Sequence, residues 1–397
     1  MTAARQSVVW VAPCKMGGVL TIVGSLLAHR TPGDPAHHVL LTRNHLEGDV
    51  PFEGWLGADT QQTVEYRLPI ENLHAVLRRL HAAVPPGAGV LVANDLLELA
   101  MATAFDTGRT VIQVLHGDYD YYYDLAVRHE PVVDVFVAYA QGIAGELRRR
   151  LPARAADVLC LPYGVEIPAR PRAARSPDPI RLLFVGRLGA EKGIFDLPAI
   201  DARLAAAGIR AQWTVVGGGP DGERLRRQWL SPHVAWTGAL APRDVLALYP
   251  YHDVFVLPSR AEGFPVTLLE AMAAGLVPVV TDLPSGVREA VTPGATGFLA
   301  PMGDAAAFAE AIASVARDHV RLNAIGAAAR AHVARLFDIR DRVAAYERLF
   351  ARHASLHRPR PARVAMPYGS RLDRPWIPNA AVKAVRTVVR RAHGKPV

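Results

Sequence analysis

The stretch Pro258–Val280, PSRAEGFPVTLLEAMAAGLVPVV, reads as a loop, a helix and a strand. The apolar run Val254–Leu257 just before it predicts a preceding strand. Pro265 suits the first turn of a helix, where its missing N–H costs little, and Gly275 suits the helix end. The run Val277–Thr281 then predicts the next strand. A strand, a helix and a second strand form the repeating unit of a parallel sheet.

Short β-branched runs alternate with helical patterns along most of the chain, which predicts an α/β protein. In the first half, the predicted strands are Val8–Val11, Val39–Thr42, Val90–Ala93, Val111–Leu115, Val133–Ala138 and Val158–Leu161. In the second half, they are Arg181–Val185, Gln212–Val216, Val234–Thr237, Val254–Leu257 and Val277–Thr281. We therefore expect two Rossmann-like, doubly wound domains whose strands point their carboxyl ends at a central cleft.

Proline content and composition set the expected domain boundaries. Residues 168–179 contain four prolines in twelve positions and no apolar periodicity, which predicts a linker. The sequence thus predicts an N-terminal domain over residues 1–167 and a C-terminal domain over residues 180–338. A helix over residues 339–357, returning to the N-terminal domain, and a basic tail over residues 358–397 are expected to follow.

The net charge of +8 belongs to the tail. Residues 358–397 hold ten Lys and Arg and one acid, Asp373, whereas the preceding residues hold 35 basic and 36 acidic side chains. A neutral body does not favour nucleic acid as a partner. The two cysteines lack a metal-cluster spacing, and no apolar run approaches the roughly 20 residues of a membrane span. These features predict a cytoplasmic protein.

Two glutamates lie within the deciding stretch. Glu262 is on the loop and Glu270 is eight positions later, two turns into the helix, so both side chains can line one wall. Two glutamates at this spacing are usually exposed surface residues. Glu270, however, has apolar neighbours on both sides in the sequence, where a carboxylate is uncommon. The amides of the helix's first turn favour an anion such as a diphosphate.

This stretch resembles the E-x7-E signature of the retaining GT-B glycosyltransferases, specifically family 4. Three further segments are similar in the same order, namely Phe184–Leu188 with Glu191–Gly193, Val215–Pro220 and Asp253–Ser259. The first half is less similar, with Met16-Gly17-Gly18-Val19 and Pro162–Val165 as its matching segments. The resemblance implies a GT-B fold and transfer of a hexose from a nucleotide-diphosphate sugar to a hydroxyl acceptor. Glycan, polysaccharide or glycolipid assembly is the implied setting.

The resemblance also implies roles for individual residues. Arg187 and Lys192 would hold the donor diphosphate and stabilise the leaving group, so that neither a metal nor another cofactor is expected. Glu270 would bind the ribose hydroxyls, and Glu262 the sugar hydroxyls near the reacting carbon. The remaining expected donor contacts are Gly17, Gly18, Gly217, Gly263, Phe264, Pro265 and Val266.

His116 follows a predicted strand of the first half, and the resemblance implies contact with the sugar or the acceptor there. It is therefore predicted as catalytic together with Glu262, Arg187 and Lys192. The aromatic run after it predicts acceptor contacts from Asp118, Tyr119 and Tyr121, since rings and hydroxyls together suit a sugar. A structural histidine and an ordinary aromatic loop are the alternatives.

Two other motifs are interpreted as chance matches. Asp118-Tyr119-Asp120 spells D-x-D, but three-residue matches are common and the GT-B resemblance needs no metal. Gly217–Gly222 spells G-x-G-x-x-G, but Thr237 ends the next strand where a dinucleotide fold would need an acid. A nucleotide-sugar epimerase of the same fold and a non-catalytic partner subunit remain alternatives to the transferase.

The tail contains one more predicted helix. Asn379 is expected to cap a helix that ends near Ala392. Its valines Val382, Val385 and Val389 share one face, and Lys383, Arg386 and Arg390 share another. This pattern predicts that residues 376–395 contact an anionic membrane surface, at the inner face of the cell membrane. A helix packed on the N-terminal domain, or a solvated tail, is the alternative.

Overall fold

The computed structural model describes residues 6–15, 17–33, 35–47, 51–174, 178–361, 364, 366 and 369–393 of the 397-residue chain. Met16 of the quoted glycine motif, residues 175–177 of the predicted linker and residues 394–395 of the predicted membrane segment lie outside the described residues. The chain forms two compact units. The first takes residues up to Ala138, Ala144–Leu161 and the residues from Arg342 onward, and the second takes Tyr139–Ile143 and Pro162–Asp341.

The first unit contains a seven-stranded parallel sheet in the order β3-β2-β1-β4-β5-β6-β7. The strands are β1 Ser7–Pro13, β2 Ala36–Asn44, β3 Thr60–Tyr66, β4 Gly89–Ala93, β5 Thr110–Leu115, β6 Val135–Ala138 and β7 Val158–Cys160. All six predicted strands of this half are confirmed. Strand β3 was not predicted, because it is an edge strand of polar residues in which only Val64 is buried.

Helices make most of the connections between these parallel strands. They are α1 Gly18–Ala28, α2 Leu73–Ala83, α3 Leu96–Ala104, α4 Asp120–His129 and α5 Gln141–Arg150. The apolar periodicity of α2 packs one face into the core, where Leu73, Val76 and Leu77 are buried. Asn72 caps this helix by accepting the amide N–H of His74 at 2.9 Å.

The second unit contains a six-stranded parallel sheet in the order β10-β9-β8-β11-β12-β13. The strands are β8 Ile180–Val185, β9 Ala211–Val216, β10 Val234–Gly238, β11 Val254–Leu257, β12 Val277–Thr281 and β13 Phe298–Ala300. The helices are α6 Leu197–Ala206, α7 Gly222–Gln228, α8 Pro242–Leu248, α9 Val266–Ala273, α10 Gly286–Ala290, α11 Ala305–Ala316 and α12 His319–Leu336. The five predicted strands are confirmed, whereas the three-residue β13 was too short to predict.

Part of the predicted linker packs on the second unit instead of standing apart from it. The Arg172 guanidinium is buried, and it donates to the Asp253 carboxylate at 3.2 Å and to the Asn323 side-chain oxygen at 2.6 Å. A buried guanidinium needs such partners, because an unpaired buried charge is strongly unfavourable. The composition of this segment indicated its prolines but not the contacts that Arg172 makes with the second unit.

The helix predicted over residues 339–357 consists of two helices, α13 Ile339–Ala351 and α14 His353–Leu356. The chain breaks between them at Arg352. Within the first unit, the Phe350 ring packs edge-on against Trp10, with ring centroids 5.6 Å apart. This contact fixes α13 on strand β1.

The tail helix α15 Asn379–Ala392 packs on the first unit. The prediction that Asn379 caps it was wrong, because Pro378 holds the cap position and Asn379 is the first helical residue. The Asn379 side chain instead accepts the Asn72 amide N–H at 2.8 Å and donates to Glu71 at 3.1 Å. Val382 is fully buried beneath the helix. The tail helix is therefore an integral part of this unit.

Candidate functional site

Lys192 and Glu262 meet at the carboxyl ends of adjacent strands β8 and β11. The Lys192 Nζ donates to Glu262 Oε1 at 2.7 Å, and the Ser259 hydroxyl donates to the same oxygen at 2.7 Å. The Glu262 side chain is only 7% exposed, and that of Lys192 is 25% exposed. The sequence pointed to both charged residues, whereas Ser259 was seen only as part of a motif.

A glycine makes this approach of the two loops possible. Gly193 has a φ of +65°, and a Cβ at this position would lie 1.8 Å from the carbonyl oxygen of Pro258. The left-handed conformation and the close backbone contact both require glycine. The loop after β8 can therefore pack directly on the end of β11, and this packing positions Lys192.

Arg187 lies on the same loop and is largely exposed. Its guanidinium pairs with Glu191 at 2.7 Å. Partial burial raises the pKa of Glu191, but hydrogen bonds from its own backbone amide and from Arg187 outweigh that effect and hold this pKa below its usual value. The carboxylate thus stays ionised and keeps the guanidinium close to the β8 loop.

Glu270 lies on α9 and accepts a hydrogen bond from the buried Tyr249 hydroxyl at Oε2, at 2.8 Å. Burial raises the pKa of Glu270 to about 7, and the hydrogen bond from Tyr249 opposes part of that rise. No sequence pattern marks Tyr249, since it lies 21 positions before Glu270 in a short 3-10 turn without a recognisable motif.

The loop between the two glutamates is held from both sides. The Tyr163 hydroxyl donates to the Phe264 carbonyl, and the Gly286 amide donates to the Gly263 carbonyl at 2.9 Å. A Cβ at Gly286 would lie 2.0 Å from the Phe264 ring, so this position requires glycine. The contacts fix the backbone between Glu262 and the start of α9.

Helix α9 begins at Val266, which confirms the predicted helix start, but Pro265 holds the extended cap position just before the helix instead of lying in its first turn. Its first internal hydrogen bond runs from the Leu268 amide to the Pro265 carbonyl at 3.2 Å. The amides of Val266 and Thr267 precede that bond and therefore have no acceptor within the helix. Such amides can bind an anion at this end of the sheet.

Gly217 has a role in packing that is independent of any ligand. Its φ is +142°, and a Cβ would lie 1.9 Å from the Gly186 carbonyl oxygen. Its amide donates to the Gly238 carbonyl at 2.9 Å. Glycine is therefore needed here for strands β8, β9 and β10 to end side by side. Its predicted contact with a donor stays a prediction.

In the first unit, Gly17 and Gly18 form the turn from β1 into α1. Gly17 has an extended backbone that any residue adopts, with φ 165°. Among the described residues, no atom lies within 4 Å of a Cβ built at either glycine. Packing against the described residues thus does not require glycine here. The open space leaves room for a ligand to approach this turn, and the expected donor contact stays a prediction.

His116 follows β5, and its Nε2 lies 2.8 Å from the Asn94 side-chain oxygen. Because the Asn94 amide nitrogen donates to the Val11 carbonyl, its oxygen faces the imidazole, which assigns the proton to Nε2. Burial lowers the pKa of His116 to about 3, so the ring is neutral at pH 7. A neutral ring can take part in hydrogen bonds to hydroxyls but cannot supply a positive charge.

The tyrosines after His116 differ in their surroundings. Tyr119 and Tyr121 are 42% and 48% exposed, while Tyr123 is buried and donates to Asp118 at 2.6 Å. The Tyr121 hydroxyl donates to the Asp95 carboxylate. Tyr119 and Tyr121 are thus accessible to an acceptor, whereas the Asp118 carboxylate is already engaged.

The two carboxylates of the D-x-D sequence have separate partners. Asp118 takes the Tyr123 hydroxyl, and Asp120 pairs with Arg150 at 2.6 Å. Within the described ranges, no group of three or more His, Cys, Asp and Glu side chains is arranged to hold a metal ion.

A polar pocket of about 340 Å³ opens at the carboxyl ends of β1, β2 and β4 in the first unit. Strands β1 and β4 are the neighbours at which the strand order reverses, which is where open parallel sheets bind ligands. The side chains that border it include Lys15, Arg43, His45, Asp95, Glu98 and Tyr121. Of these, the sequence pointed only to Tyr121, because the others come from separate loops without a shared motif.

Glu98 is a fully buried carboxyl at the edge of this pocket. Its Oε1 accepts the amide N–H groups of Asn94 at 2.7 Å and of Asp95 at 2.6 Å. Burial and the nearby Asp95 charge raise the pKa of Glu98 to about 8. The carboxyl group is therefore mostly protonated at pH 7.

Residues 167–332 match the family described as glycosyl transferases, group 1. That segment contains Arg187, Lys192, Glu262 and Glu270. A search of curated proteins finds glycogen synthase of Mycobacterium tuberculosis, 35% identical over 189 residues, which are 46% of this chain and 45% of that protein. It also finds a GDP-mannose-dependent alpha-(1-6)-phosphatidylinositol monomannoside mannosyltransferase of the same organism, 33% identical over 42% of this chain and 45% of that protein. The chain spans less than half the length of these curated relatives.

Among solved structures, HepE of Anabaena in complex with UDP and glucose is similar, with a TM-score of 0.71 and 17% identity over 87% of this chain and 99% of that chain. At this identity the likeness shows the fold alone. The two Rossmann-like units with parallel sheets have the GT-B fold, as the sequence predicted. In the described part of the chain, no helix has both the length and the apolar character needed to cross a bilayer.

Proposed function

We propose that this protein is a retaining, family 4 glycosyltransferase that moves a hexose from a nucleotide-diphosphate sugar to a hydroxyl acceptor. One observation carries the proposal. The Lys192 ammonium and the Glu262 carboxylate are in contact, 2.7 Å apart, at the carboxyl ends of neighbouring strands within the segment that matches the group 1 family. The contact supports the proposal, because a cation suited to a phosphate lies beside a carboxylate suited to a sugar hydroxyl.

The leaving group of this reaction is a nucleotide diphosphate, which becomes more negative as the bond to the sugar breaks. Lys192 and the exposed Arg187 guanidinium supply two positive charges for it, joined by the early amides of α9. Stabilising charge that develops in the transition state accelerates the chemical step itself. These groups would do so without a metal ion.

The two glutamates would orient the donor from opposite ends. In this proposal, Glu270 accepts hydrogen bonds from the ribose hydroxyls, and Tyr249 holds its carboxylate in place at 2.8 Å. Glu262 presents Oε2 to the sugar, because Oε1 already accepts from Lys192 and Ser259. The clamped backbone at Gly263 and Phe264 would complete the contacts with the sugar and phosphate.

The first unit would bind the acceptor. The neutral His116 imidazole and the accessible rings of Tyr119 and Tyr121 offer hydrogen bonding and stacking without adding charge. Gly17 and Gly18 would let the backbone of this unit approach the diphosphate. We propose a carbohydrate or lipid-linked acceptor, as in polysaccharide or glycolipid assembly, and a place of action in the cytoplasm, at the inner face of the membrane.

The test is transfer from radiolabelled UDP- and GDP-sugars to a panel of sugar and lipid-linked acceptors. Arg187→Ala and Glu262→Ala should each lower transfer by at least about 100-fold, the usual loss when one preorganised electrostatic group is removed. Circular dichroism of both variants should match the wild type. Near-normal turnover in both variants would contradict the assignment.

Product analysis separates the alternatives. Transfer puts the label on the acceptor with its anomeric configuration retained, whereas an epimerase changes the donor sugar when no acceptor is present. A protein that binds the nucleotide but neither transfers nor hydrolyses any donor in the panel would be a binding subunit, and the proposal would fail. Chelation with EDTA should leave the transfer rate unchanged, and loss of activity in EDTA would overturn the metal-independent step.

A further inference from the structure

Polar contacts fix the rotation of the tail helix on the first unit. The Arg386 guanidinium donates to the Glu71 carbonyl at 2.6 Å and to the Asp373 carboxylate at 2.7 Å. Lys383 pairs with the buried Glu71 carboxylate at 3.4 Å. Together with the buried Val382, these contacts commit one side of α15 to the protein.

The opposite side of α15 is apolar and exposed. Each residue of a helix turns by about 100°, so the side chains at positions 381, 384, 385, 388, 389 and 392 fall within an arc of about 140°. Val385, Val388 and Val389 are 49%, 67% and 51% exposed, and Trp376, just before the helix, is 75% exposed. The exposed face consists of Ala381, Ala384, Val385, Val388, Val389 and Ala392. We call these six residues the outer face.

This arrangement differs from the faces expected from the sequence. Val382 was expected to share the membrane-facing surface, but it is buried against the first unit. Lys383 and Arg386 were expected to meet anionic lipid, but both pair with carboxylates of the protein. Part of the positive charge of the tail is thus neutralised internally. The surface available to a partner is the outer face.

Exposed cations remain in and just before α15 after this internal pairing. By helical spacing Arg391 lies beside the outer face, whereas Arg371 and Arg374 lie in the segment that leads into the helix. Arg371, Arg374 and Arg391 are exposed, and none has an ion-pair partner among the residues that the structure describes. Two copies that met through this face would bring these like charges together, which disfavours a symmetric dimer. An anionic surface would instead complement them.

We propose that the outer face of α15 lies on an anionic lipid surface, with Val385, Val388 and Val389 in the interface and Arg391 at its edge. Arg371 and Arg374 add positive charge from the segment just before the helix. An apolar helix face flanked by arginines suits the boundary between headgroups and acyl chains. Each near-surface cation strengthens binding by about five-fold, so three give on the order of 100-fold. Because the helix is already folded and fixed, contact does not require it to fold. The proposal extends the proposed place of action to a defined surface and does not depend on the catalytic residues.

The experiment is flotation of the full-length protein with vesicles of phosphatidylcholine alone or with added phosphatidylglycerol. The wild type should bind the anionic vesicles at least about ten-fold more tightly than the neutral ones. The combined variant Val385→Ser, Val388→Ser and Val389→Ser should lose at least about ten-fold of that binding, since three buried apolar side chains are removed from the interface.

A second combined variant, Arg371→Gln, Arg374→Gln and Arg391→Gln, should bind both kinds of vesicle alike. The matched controls are Val320→Ser, which removes a valine 68% exposed in the second unit, and Arg243→Gln, which removes an exposed arginine there. Both controls should bind like the wild type. On anionic vesicles the wild type should show a blue shift of its tryptophan emission, and Trp376→Phe should not.

Three results would overturn the proposal. Equal vesicle binding by the wild type and the valine variant would show that the outer face is not the contact surface. No preference of the wild type for anionic vesicles would remove the role of the arginines. If light scattering showed a dimer for the wild type and a monomer for the valine variant, the outer face would be assigned to a second copy. Nucleotide-sugar binding, measured on the same preparations, reports the proposed transferase function separately.

Discussion

Protonation of Glu270 should control donor binding around neutral pH. A carboxylate accepts hydrogen bonds from ribose hydroxyls better than a carboxylic acid does, so only the ionised form would bind the donor well. Because burial raises the pKa of Glu270 to about 7, the ionised fraction falls from about nine-tenths at pH 8 to about one-tenth at pH 6. The donor dissociation constant should therefore rise about ten-fold over this range, which equals about 1.4 kcal/mol.

The assay is isothermal titration calorimetry of a nucleotide sugar between pH 6 and pH 8. A nucleotide sugar is the appropriate probe because its diphosphate is esterified at both ends and has no proton that titrates in this range. At pH 6, binding should release about one proton, seen as a dependence of the measured heat on the buffer's ionisation enthalpy. Glu270→Gln should bind more weakly than the wild type at pH 8 and show no pH dependence.

Tyr249→Phe provides a matched control. Removing the hydroxyl removes the hydrogen bond that opposes the rise in the pKa of Glu270, so the bend in the curve should move to higher pH. A flat wild-type curve between pH 6 and pH 8 would refute the reasoning. A ten-fold slope that persists in Glu270→Gln would assign the proton to another group.

The remaining predictions concern stability and backbone geometry. Arg360→Ala should lower the free energy of unfolding by about 3 kcal/mol, measured from urea midpoints, because Arg360 pairs at 2.8 Å with the fully buried Asp134 carboxylate. Gly193→Ala should weaken nucleotide-sugar binding at least about ten-fold, since its Cβ would collide with the Pro258 carbonyl and move the loop that carries Arg187 and Lys192, the proposed phosphate-binding cations. Glu98→Gln should increase stability more at pH 9 than at pH 6. The pKa of Glu98 is raised to about 8 in the folded state, whereas the unfolded state loses this proton above about pH 4.5. The free energy of unfolding of the wild type therefore falls as the pH rises from about 4.5 to about 8.

The first two of these predictions have a matched control in the same chain. Arg358→Ala should change stability by no more than about 0.5 kcal/mol, since its half-exposed guanidinium lies 3.6 Å from Glu130. Gly208→Ala has a similar φ of +73° but open space around the Cβ, so it should cost stability without weakening donor binding. An equal loss of stability in Arg360→Ala and Arg358→Ala would contradict the first argument, and an equal loss of donor binding in Gly193→Ala and Gly208→Ala would contradict the second. A gain in stability from Glu98→Gln that does not depend on pH would contradict the third.

The charged residues of the second unit were more predictable from the sequence than the pocket of the first unit. Arg187, Lys192, Glu262 and Glu270 lie in short contiguous motifs, and it was the resemblance of these motifs to those of the GT-B glycosyltransferases that singled the four residues out. The pocket at β1, β2 and β4 gathers one or two residues from each of several loops. No sequence pattern marks such a set, because its members become neighbours only through the strand order.

The sequence by itself determined eleven of the thirteen strands, the start of α9 and the location of the positive charge in the tail. These properties depend on residues close together in the chain, through hydrophobic periodicity and turn chemistry. Only the tertiary structure decided that Lys192 pairs with Glu262, that Tyr249 supports Glu270 and that the outer face of α15 is exposed. Those features depend on which distant segments pack together, and burial and pairing then set the charge state and accessibility of each side chain.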